Sequence, residues 1–179
     1  MEPTSDRVFL IGPMGSGKSA VGRLLAKMRG VPFFDSDEVI VERTGVDIPL
    51  IFEKEGETGF RQRERQVIDE LTQLPRIVLA TGGGAVTLPE NRAALRSRGI
   101  VVYLQTGVAQ QAARVRDGRN RPMLAGSEPA QRLADLMRER APLYESIAML
   151  TVTTDHRHPR AVARQIQRAL RAGAGLGPV

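Results

Sequence analysis

One glycine-rich segment limits what this chain can fold into more than any other feature. Residues 8–11 read Val-Phe-Leu-Ile, the segment from Gly12 to Ser19 reads Gly-Pro-Met-Gly-Ser-Gly-Lys-Ser, and a helical pattern follows over 18–29. The segment fits G-x-x-x-x-G-K-[ST], in which glycines turn the backbone sharply so that its N–H groups face inward. The helix that follows adds the positive end of its dipole. The sequence therefore predicts a strand, a loop that binds phosphate groups and a helix, in that order.

The residue types in this loop predict how it holds a nucleoside triphosphate. We expect Lys18 to reach the β- and γ-phosphates and the Ser19 hydroxyl to ligate Mg²⁺. The other ATP-binding positions predicted in the loop and the first helical turn are Gly12, Gly15, Ser16, Gly17 and Ala20. A glycine-rich turn that binds nothing is the alternative, and the flanking strand and helix argue against it.

Further apolar runs predict the sheet to which this loop belongs. Runs 77–80 and 100–104 are typical of strands covered on both faces of a parallel sheet, and weaker strand candidates lie at 31–34 and 149–153. Additional helical patterns fall at 57–74, 89–98, 106–115, 128–147 and 159–171. Alternating strands and helices predict an α/β fold with helices on both sides of the sheet, and ligands gather at the carboxyl ends of such strands.

The composition narrows the class of partner. The chain has 179 residues and no cysteine, which fits one domain and excludes disulfides, thiolate metal sites and cysteine nucleophiles. No apolar run approaches the roughly 20 residues of a membrane span, and residues 1–7 lack the features of a signal peptide. The net charge of +6 suits nucleic acid or a phosphorylated small molecule, but only 4% of the residues are aromatic and can stack on bases. We therefore expect a cytoplasmic monomer with no membrane or nucleic-acid partner.

A phosphate loop alone does not separate kinases from GTPases and motor ATPases. Motors need more chain for their coupling machinery, and the N-K-x-D guanine signature of GTPases does not occur in the sequence. A small kinase remains, in which a lid and an acceptor pocket surround the phosphate loop.

Two carboxylates follow the weak strand at 31–34. Asp35 and Asp37 fall on the same side of the extended chain, where one can hold Mg²⁺ and the other can orient an attacking hydroxyl. An acidic helix start, with Asp35 or Ser36 as its N-cap, explains the same residues. The pattern alone leaves both interpretations open.

Four segments together resemble shikimate kinase, a P-loop kinase family similar to the nucleoside-monophosphate kinases. These segments are the phosphate loop, the Asp35/Asp37 pair, residues 45–64 and the run Thr81-Gly82-Gly83-Gly84, within a resemblance that extends from Val8 to Ile166. The resemblance implies a three-layer fold with a five-stranded parallel sheet in the order 2-3-1-4-5 and a mobile lid. It also implies transfer of the ATP γ-phosphoryl group to the 3-hydroxyl of shikimate, giving shikimate 3-phosphate and ADP.

The resemblance also implies an acceptor-binding region at 35–64 within one kinase domain that spans 1–179. It places Asp35 in the magnesium shell and Asp37 on the shikimate hydroxyls, where it assists the transfer. The other shikimate-binding positions that it implies are Ile48, Phe52 and Phe60 around the ring, Arg61 and Arg140 on the carboxylate, and Gly82, Gly83 and Gly84. A surface pair between Arg61 and Glu64 and a merely flexible glycine loop are the structural alternatives.

Arg140 also stands out from the helical pattern itself. It falls within an apolar stripe formed by Leu133, Leu136, Met137, Tyr144 and Ile147. An arginine that faces a core needs an anionic partner, unless its stem is buried and its charge reaches water. Pro142 should break or kink this helix because proline lacks a backbone donor.

The arginine-rich segment 114–126 is predicted to be the lid. It buries itself poorly, which indicates a mobile loop that closes over ATP. By resemblance, Arg121 lies on the phosphates and is catalytic together with Lys18 and Asp37, Arg114 stacks on adenine, and Arg157 lines its other side. A solvated basic loop or a nucleic-acid patch is the alternative for the lid. The tail at 172–179 is expected to be disordered.

Two other functions compete with this interpretation. Gluconate-type sugar-acid kinases tend to carry His-Pro shortly after their D-x-D, where this chain has Glu38-Val-Ile-Val. A non-catalytic module that binds ATP and shikimate would be favoured by loss of Lys18, Asp37 or Arg61, and all three are present.

Overall fold

The computed structural model describes residues 4–115 and 128–173 of the chain. Its strands are β1 (Thr4–Ile11), β2 (Phe33–Asp35), β3 (Ile77–Ala80), β4 (Gly99–Gln105) and β5 (Leu150–Thr153). Its helices are α1 (Lys18–Arg29), α2 (Ser36–Thr44), α3 (Ile48–Leu71), α4 (Pro89–Arg98), α5 (Val108–Val115), α6 (Pro129–Ile147) and α7 (Pro159–Ala172), with a short 3-10 helix at Ala85–Thr87.

The strands form one parallel sheet in the order β2-β3-β1-β4-β5. β1 lies in the centre, where Val8 pairs with Val78 of β3 and Ile100 of β4. The order 2-3-1-4-5 implied by the resemblance is therefore confirmed. Because parallel strands share the direction of their carboxyl ends, the segments that follow β1, β2 and β3 meet at one edge of the sheet.

The sheet buries apolar side chains on both faces, which produces the three layers. Phe9 and Ile11 of β1 pack into a core shared with α2, α3, α4 and α6. Val8 and Leu10 point the other way, into a core shared with α1 and α7. Alternation along one strand therefore fixes a helical layer on each face.

The segment between β2 and β3 is more helical than its pattern predicts, since the pattern indicates only a helix at 57–74. In the structure α2 occupies 36–44, and α3 begins after Asp47, whose side chain accepts a hydrogen bond from the Leu50 N–H at 3.1 Å. Gly56 then interrupts α3 with φ of 68° and ψ of −178°. This break changes the direction in which the side chains point. The apolar pattern of the residues after Gly56 therefore does not continue back to Ile48, where α3 begins.

The helix α6 does not end at Pro142, so the expected break there is wrong. The helix continues through Pro142 to Ile147. Proline removes one backbone hydrogen bond, but Leu136 and Tyr144 on either side are buried and hold both parts of the helix against the core.

Most of two predicted features lies outside the described residues. The predicted lid at 114–126 contributes only Arg114 and Val115, at the end of α5, and the predicted tail at 172–179 contributes only the end of α7 and Gly173. In the described ranges, no helix is both long enough and apolar enough to cross a bilayer.

Candidate active site

The loop after β1 has the backbone that its glycines predict. Gly12, Gly15 and Gly17 have φ of 144°, 78° and 87°, values that other residues rarely adopt. Lys18 Nζ donates to the carbonyl oxygens of Gly12 and Pro13, at 2.8 Å in each case. The loop therefore curls around an ammonium group at the amino end of α1, where anions are favoured.

Ser16, Ser19 and Ala20 complete the loop and the first turn of α1. Ser16 is buried within the loop, and Ala20 is exposed. Ser19 Oγ donates to Asp35 Oδ2 at 2.5 Å, while Asp35 Oδ1 accepts from the Asp37 N–H at 2.9 Å and caps α2. Asp35 is therefore both a helix cap and the partner of the loop serine, so the two interpretations of this acid are compatible.

The Ser19–Asp35 pair provides oxygen ligands of the kind that Mg²⁺ prefers. In nucleotide sites Mg²⁺ takes one or two protein oxygens and completes its shell with phosphates and water. In the described part of the chain, no group of three or more Asp, Glu or His side chains could hold a metal. The residues present therefore fit a cation that arrives with the nucleotide, rather than one held in a cage of protein ligands.

Asp37 lies half-buried in the first turn of α2, and its Oδ1 has no hydrogen-bond partner. Burial, together with the negative charges of Glu64 and Asp35, raises the pKa of this carboxyl to about 7, while Lys18 and Arg61 oppose the rise. A carboxyl with a pKa near neutrality can take a proton from an attacking alcohol. The position is chemically suited to a general base.

Arg61 is buried in α3 between two carboxylates. Its Nη1 donates to Glu64 Oε2 at 2.7 Å, and its Nη2 lies 3.3 Å from Glu57 Oε1. Burial disfavours the charge, but the two glutamates raise the pKa of the guanidinium above its ordinary value. Glu64 is fully buried, and its Oε1 has no partner. The alternative of a surface pair is therefore wrong.

Arg140, on α6, acts on the same carboxylate through its charge, from another part of the chain. The residue is only 5% exposed, which excludes the alternative in which its charge reaches water. Burial raises the pKa of Glu64, and the positive charges of Arg61 and Arg140 both oppose that rise. The charges of two arginines from distant segments thus act on one buried glutamate.

The three glycines after β3 each lie against a different part of the site. A Cβ on Gly82 would lie 2.5 Å from Glu64 Oε1, and one on Gly84 would collide with the Arg61 guanidinium. Gly83 lies against the phosphate loop, where a Cβ would be 3.3 Å from a backbone nitrogen. The run is therefore a close-packed wall between charged groups, and the alternative of a merely flexible loop is wrong.

The predicted ring contacts lie beside this wall. Phe60 is buried, and Ile48 and Phe52 are partly buried against the same core. The ring centroids of Phe52 and Phe60 are 4.9 Å apart, and the Arg61 guanidinium carbon lies 5.3 Å from the Phe60 centroid. Phe60 thus lies next to Arg61 and Phe52 lies against Phe60, whereas Ile48 stands at the start of α3.

The predicted adenine contacts lie at the end of β5. Arg114 donates to the Gly15 carbonyl at 2.8 Å and to the Thr154 carbonyl at 3.1 Å, so it links the phosphate loop to the segment after β5. Arg157 donates to the Thr153 carbonyl at 3.1 Å. The two arginines thus meet at one end of the sheet. Arg121, the predicted lid arginine, lies outside the described residues.

The sequence gives little indication of two residues that the structure places in the site. Glu64 is predicted only as a support for Arg61, yet the charges of both arginines act on it. Tyr144 counts in the sequence only as part of an apolar stripe, yet its hydroxyl donates to the Gly83 carbonyl at 2.5 Å. The available signal for Tyr144 is its spacing of four residues from Arg140, which puts both on one helix face.

Comparison with known proteins decides the family. A family model described as shikimate kinase matches residues 14–171. The chain belongs to the shikimate kinase family. This family consists of ATP-dependent kinases that act on an alcohol group of shikimate. Shikimate kinases from Halorhodospira halophila and Thioalkalivibrio sulfidiphilus are 54% and 55% identical to the chain, over 93% and 96% of its length and 94% and 90% of theirs.

Solved structures agree with this assignment. The chain resembles shikimate kinase from Acinetobacter baumannii in complex with shikimate, with a TM-score of 0.92 and 47% identity, over 97% of this chain and 95% of that one. Shikimate kinase from Aquifex aeolicus has a TM-score of 0.83 and 35% identity, over 96% and 99%. A gluconokinase from Sinorhizobium meliloti 1021 shares the fold, with a TM-score of 0.63, but only 18% of the sequence over 97% and 95% of the two chains.

Proposed function

We propose that this shikimate kinase transfers the γ-phosphoryl group of ATP to the 3-hydroxyl of shikimate and that Arg61 and Arg140 together bind the acceptor carboxylate. The observation that supports this proposal is that two guanidinium groups from distant segments are buried and that the charges of both act on Glu64. Arg140 Nε is buried without a hydrogen-bond partner, so a donor remains for a second anion. Guanidinium groups bind carboxylates through paired hydrogen bonds, which suits this anion.

On the donor side, the phosphate loop and Lys18 bind the triphosphate. Lys18 is the first residue of α1, and the amino end of a helix favours an anion. We assign Arg114 and Arg157 to the adenine, since both lie at the end of β5, and we assign Arg121 to the transferred phosphoryl group. Ser19 and Asp35 would hold Mg²⁺, which neutralises phosphate charge when it is bound.

On the acceptor side, Asp37 takes the proton of the attacking hydroxyl. Its unpartnered Oδ1 would lie 2.9 Å from a Cβ on Gly82, so it faces the glycine wall. The wall, Phe52 and Phe60 fix the ring, while the two arginines fix the carboxylate and thereby orient the hydroxyl. Alignment and charge neutralisation then supply most of the rate, and no covalent enzyme intermediate is needed.

A coupled assay of ADP release tests the role of the carboxylate. Shikimate, shikimate methyl ester, gluconate and buffer without an acceptor are compared at saturating Mg·ATP. We expect turnover with shikimate and a loss of about 100-fold in kcat/KM with the ester, because the buried guanidinium groups then lack their anion. Equal rates with the ester and the acid would contradict the carboxylate clamp, and turnover only with gluconate would favour the sugar-acid kinase.

A pair of variants on α6 sharpens the assay. Arg140→Met should raise the KM for shikimate by about 100-fold and leave the KM for ATP unchanged. Arg138→Met is the matched control, because the Arg138 side chain lies on the same helix but is 76% exposed. The control should behave as the wild type. A protein that binds ATP and shikimate but releases no ADP would instead be the non-catalytic module.

We also propose that the enzyme is a cytoplasmic monomer that does not bind nucleic acid. The chain has few aromatic side chains for base stacking, which supports the last part. Light scattering after gel filtration measures the mass of the particle, cell fractionation tests the location, and a titration with labelled oligonucleotide tests binding. A dimeric mass or saturable oligonucleotide binding would contradict this assignment.

A further inference from the structure

The only two tyrosines of the chain lie against each other in the core, but their hydroxyls differ. The rings of Tyr103 and Tyr144 are stacked with centroids 5.1 Å apart, and each residue is 1% exposed. Tyr144 Oη donates to the Gly83 carbonyl at 2.5 Å. Tyr103 Oη is buried and has no hydrogen-bond partner. The same stack therefore contains one hydroxyl bound to the glycine wall and one that binds nothing.

The hydroxyl of Tyr144 stands between two parts of the acceptor site. Arg140 lies one turn earlier on the same face of α6, and its positive charge opposes the rise that burial causes in the pKa of the Tyr144 hydroxyl. The hydroxyl thus lies on the helix face that carries Arg140 and donates to the Gly83 carbonyl. Its hydrogen bond links α6 directly to the glycine wall.

Gly83, which accepts the hydrogen bond from Tyr144, is itself held in place by its packing. A Cβ on Gly83 would lie 3.3 Å from Met14 N and 3.6 Å from Gly12 O, so the glycine is packed against the phosphate loop. The residue is therefore packed against the loop, while its carbonyl accepts the hydrogen bond from Tyr144. A displacement of about 1 Å at such a junction is enough to disturb catalytic alignment.

We propose that Tyr144 is a positioning residue for the acceptor, whose hydroxyl fixes the distance between the Arg140 guanidinium and the glycine wall. The inference rests on the proposed function, because it requires Arg140 to bind the acceptor carboxylate. Tyr144 does not touch the reacting groups in this scheme. Its loss should therefore weaken acceptor binding and leave the binding of ATP intact.

The test compares Tyr144→Phe with Tyr103→Phe. Each variant removes one buried hydroxyl and keeps its ring in the stack. We expect Tyr144→Phe to raise the KM for shikimate about tenfold while the KM for ATP changes less than about twofold, because the change removes the hydrogen bond that ties the helix of Arg140 to the glycine wall. Tyr103→Phe should leave both KM values within about twofold of the wild type, since its hydroxyl has no partner to lose.

The methyl ester of shikimate separates positioning from a general structural role. The ester lacks the carboxylate that Arg140 is proposed to bind, so Tyr144→Phe should not lower kcat/KM for the ester any further. A purely structural defect would lower kcat/KM for acid and ester alike. Thermal unfolding, followed by circular dichroism, shows whether both variants are folded at the assay temperature.

The outcomes distinguish this inference from the proposed function. An unchanged KM for shikimate in Tyr144→Phe, or an equal loss with acid and ester, would overturn the positioning role while wild-type turnover leaves the function intact. A wild-type protein that does not phosphorylate shikimate would overturn the proposed function and this inference with it.

Discussion

The donor and acceptor halves of the site are built from different materials. The donor half is made mainly of backbone: three glycines with positive φ shape the loop, and its carbonyls already bind Lys18. The acceptor half is made of buried side-chain charges from α2, α3 and α6. Three of its polar atoms have no partner, namely Asp37 Oδ1, Glu64 Oε1 and Arg140 Nε.

This contrast indicates that the acceptor half lowers the stability of the free enzyme. Unpaired buried polar groups destabilise the free protein, and a ligand that pairs them recovers that free energy on binding. In the donor half, the Lys18 ammonium group already donates to two carbonyl oxygens. Neutralising the unpartnered carboxyl of Asp37 in the acceptor half should therefore raise stability and lower activity, whereas substitutions in the donor half should reduce activity without a gain in stability.

The largest expected effect is that of Asp37→Asn. Loss of a general base should lower kcat by about 10³-fold. The variant should also be more stable than the wild type at pH 8, because the ionised carboxyl of Asp37, whose Oδ1 is buried, faces the negative charges of Glu64 and Asp35. Asp135→Asn, at a position on α6 distant from this carboxyl cluster in sequence, is the control for activity.

The difference in unfolding free energy between Asp37→Asn and the wild type should also depend on pH. The pKa of Asp37 is raised from 3.8 to about 7 in the folded protein. The folded wild type therefore binds its proton more tightly than the unfolded chain does, and its stability contribution falls as pH rises from 3.8 toward 7. The advantage of Asn should grow over this interval and then level off in urea unfolding curves. An advantage that does not vary with pH would contradict the raised pKa.

Lys18→Met tests the donor half. We expect kcat to fall by between about 10² and 10³-fold, because a positive charge that stabilises the transferring phosphoryl group is lost. Stability should not rise, since two loop carbonyls lose their donor. Lys27→Met, near the end of the same helix, is the control. A stabilised Lys18→Met protein would remove the contrast between the two halves.

Arg61→Met should raise the KM for shikimate by about 100-fold and destabilise the protein by about 3 kcal/mol, because Glu64 is left buried with one fewer cationic partner. The double variant Arg61→Met, Glu64→Gln should recover most of the lost stability, but its KM for shikimate should stay high. Urea unfolding and initial-rate kinetics measure the two quantities. Recovery of both would mean that Arg61 serves only to neutralise Glu64.

The smallest expected effect is the pH dependence of the wild type. Asp37 must be ionised to accept a proton, so kcat/KM for shikimate should fall about tenfold for each unit below pH 7, the approximate pKa of its carboxyl. Initial rates between pH 5 and pH 9 in a constant-ionic-strength buffer check this slope. A flat profile in the wild type would exclude Asp37 as the base.

The sequence predicted the backbone of the phosphate loop far better than the contacts of the acceptor half, for a physical reason. The phosphate loop is one continuous segment, so its motif alone predicts its backbone. The buried strands are predicted by their runs of apolar residues. The acceptor half depends on contacts between distant segments: Tyr144 and Gly83 are 61 residues apart, and no local pattern predicts their hydrogen bond. The start of α3 was missed because Gly56 breaks its period, and the break expected at Pro142 is overridden by packing on both sides.

The glycine wall has a consequence for redesign of the enzyme. Residues 82–84 have no side chains to shorten, and a Cβ at 82 or 84 would meet Glu64 or the Arg61 guanidinium. The proposed acceptor site therefore cannot be enlarged from this side by shortening a side chain. It also cannot be narrowed there without displacing Glu64 or Arg61. A variant that accepts a bulkier acid must gain its space on the aromatic side, at Phe52 or Phe60.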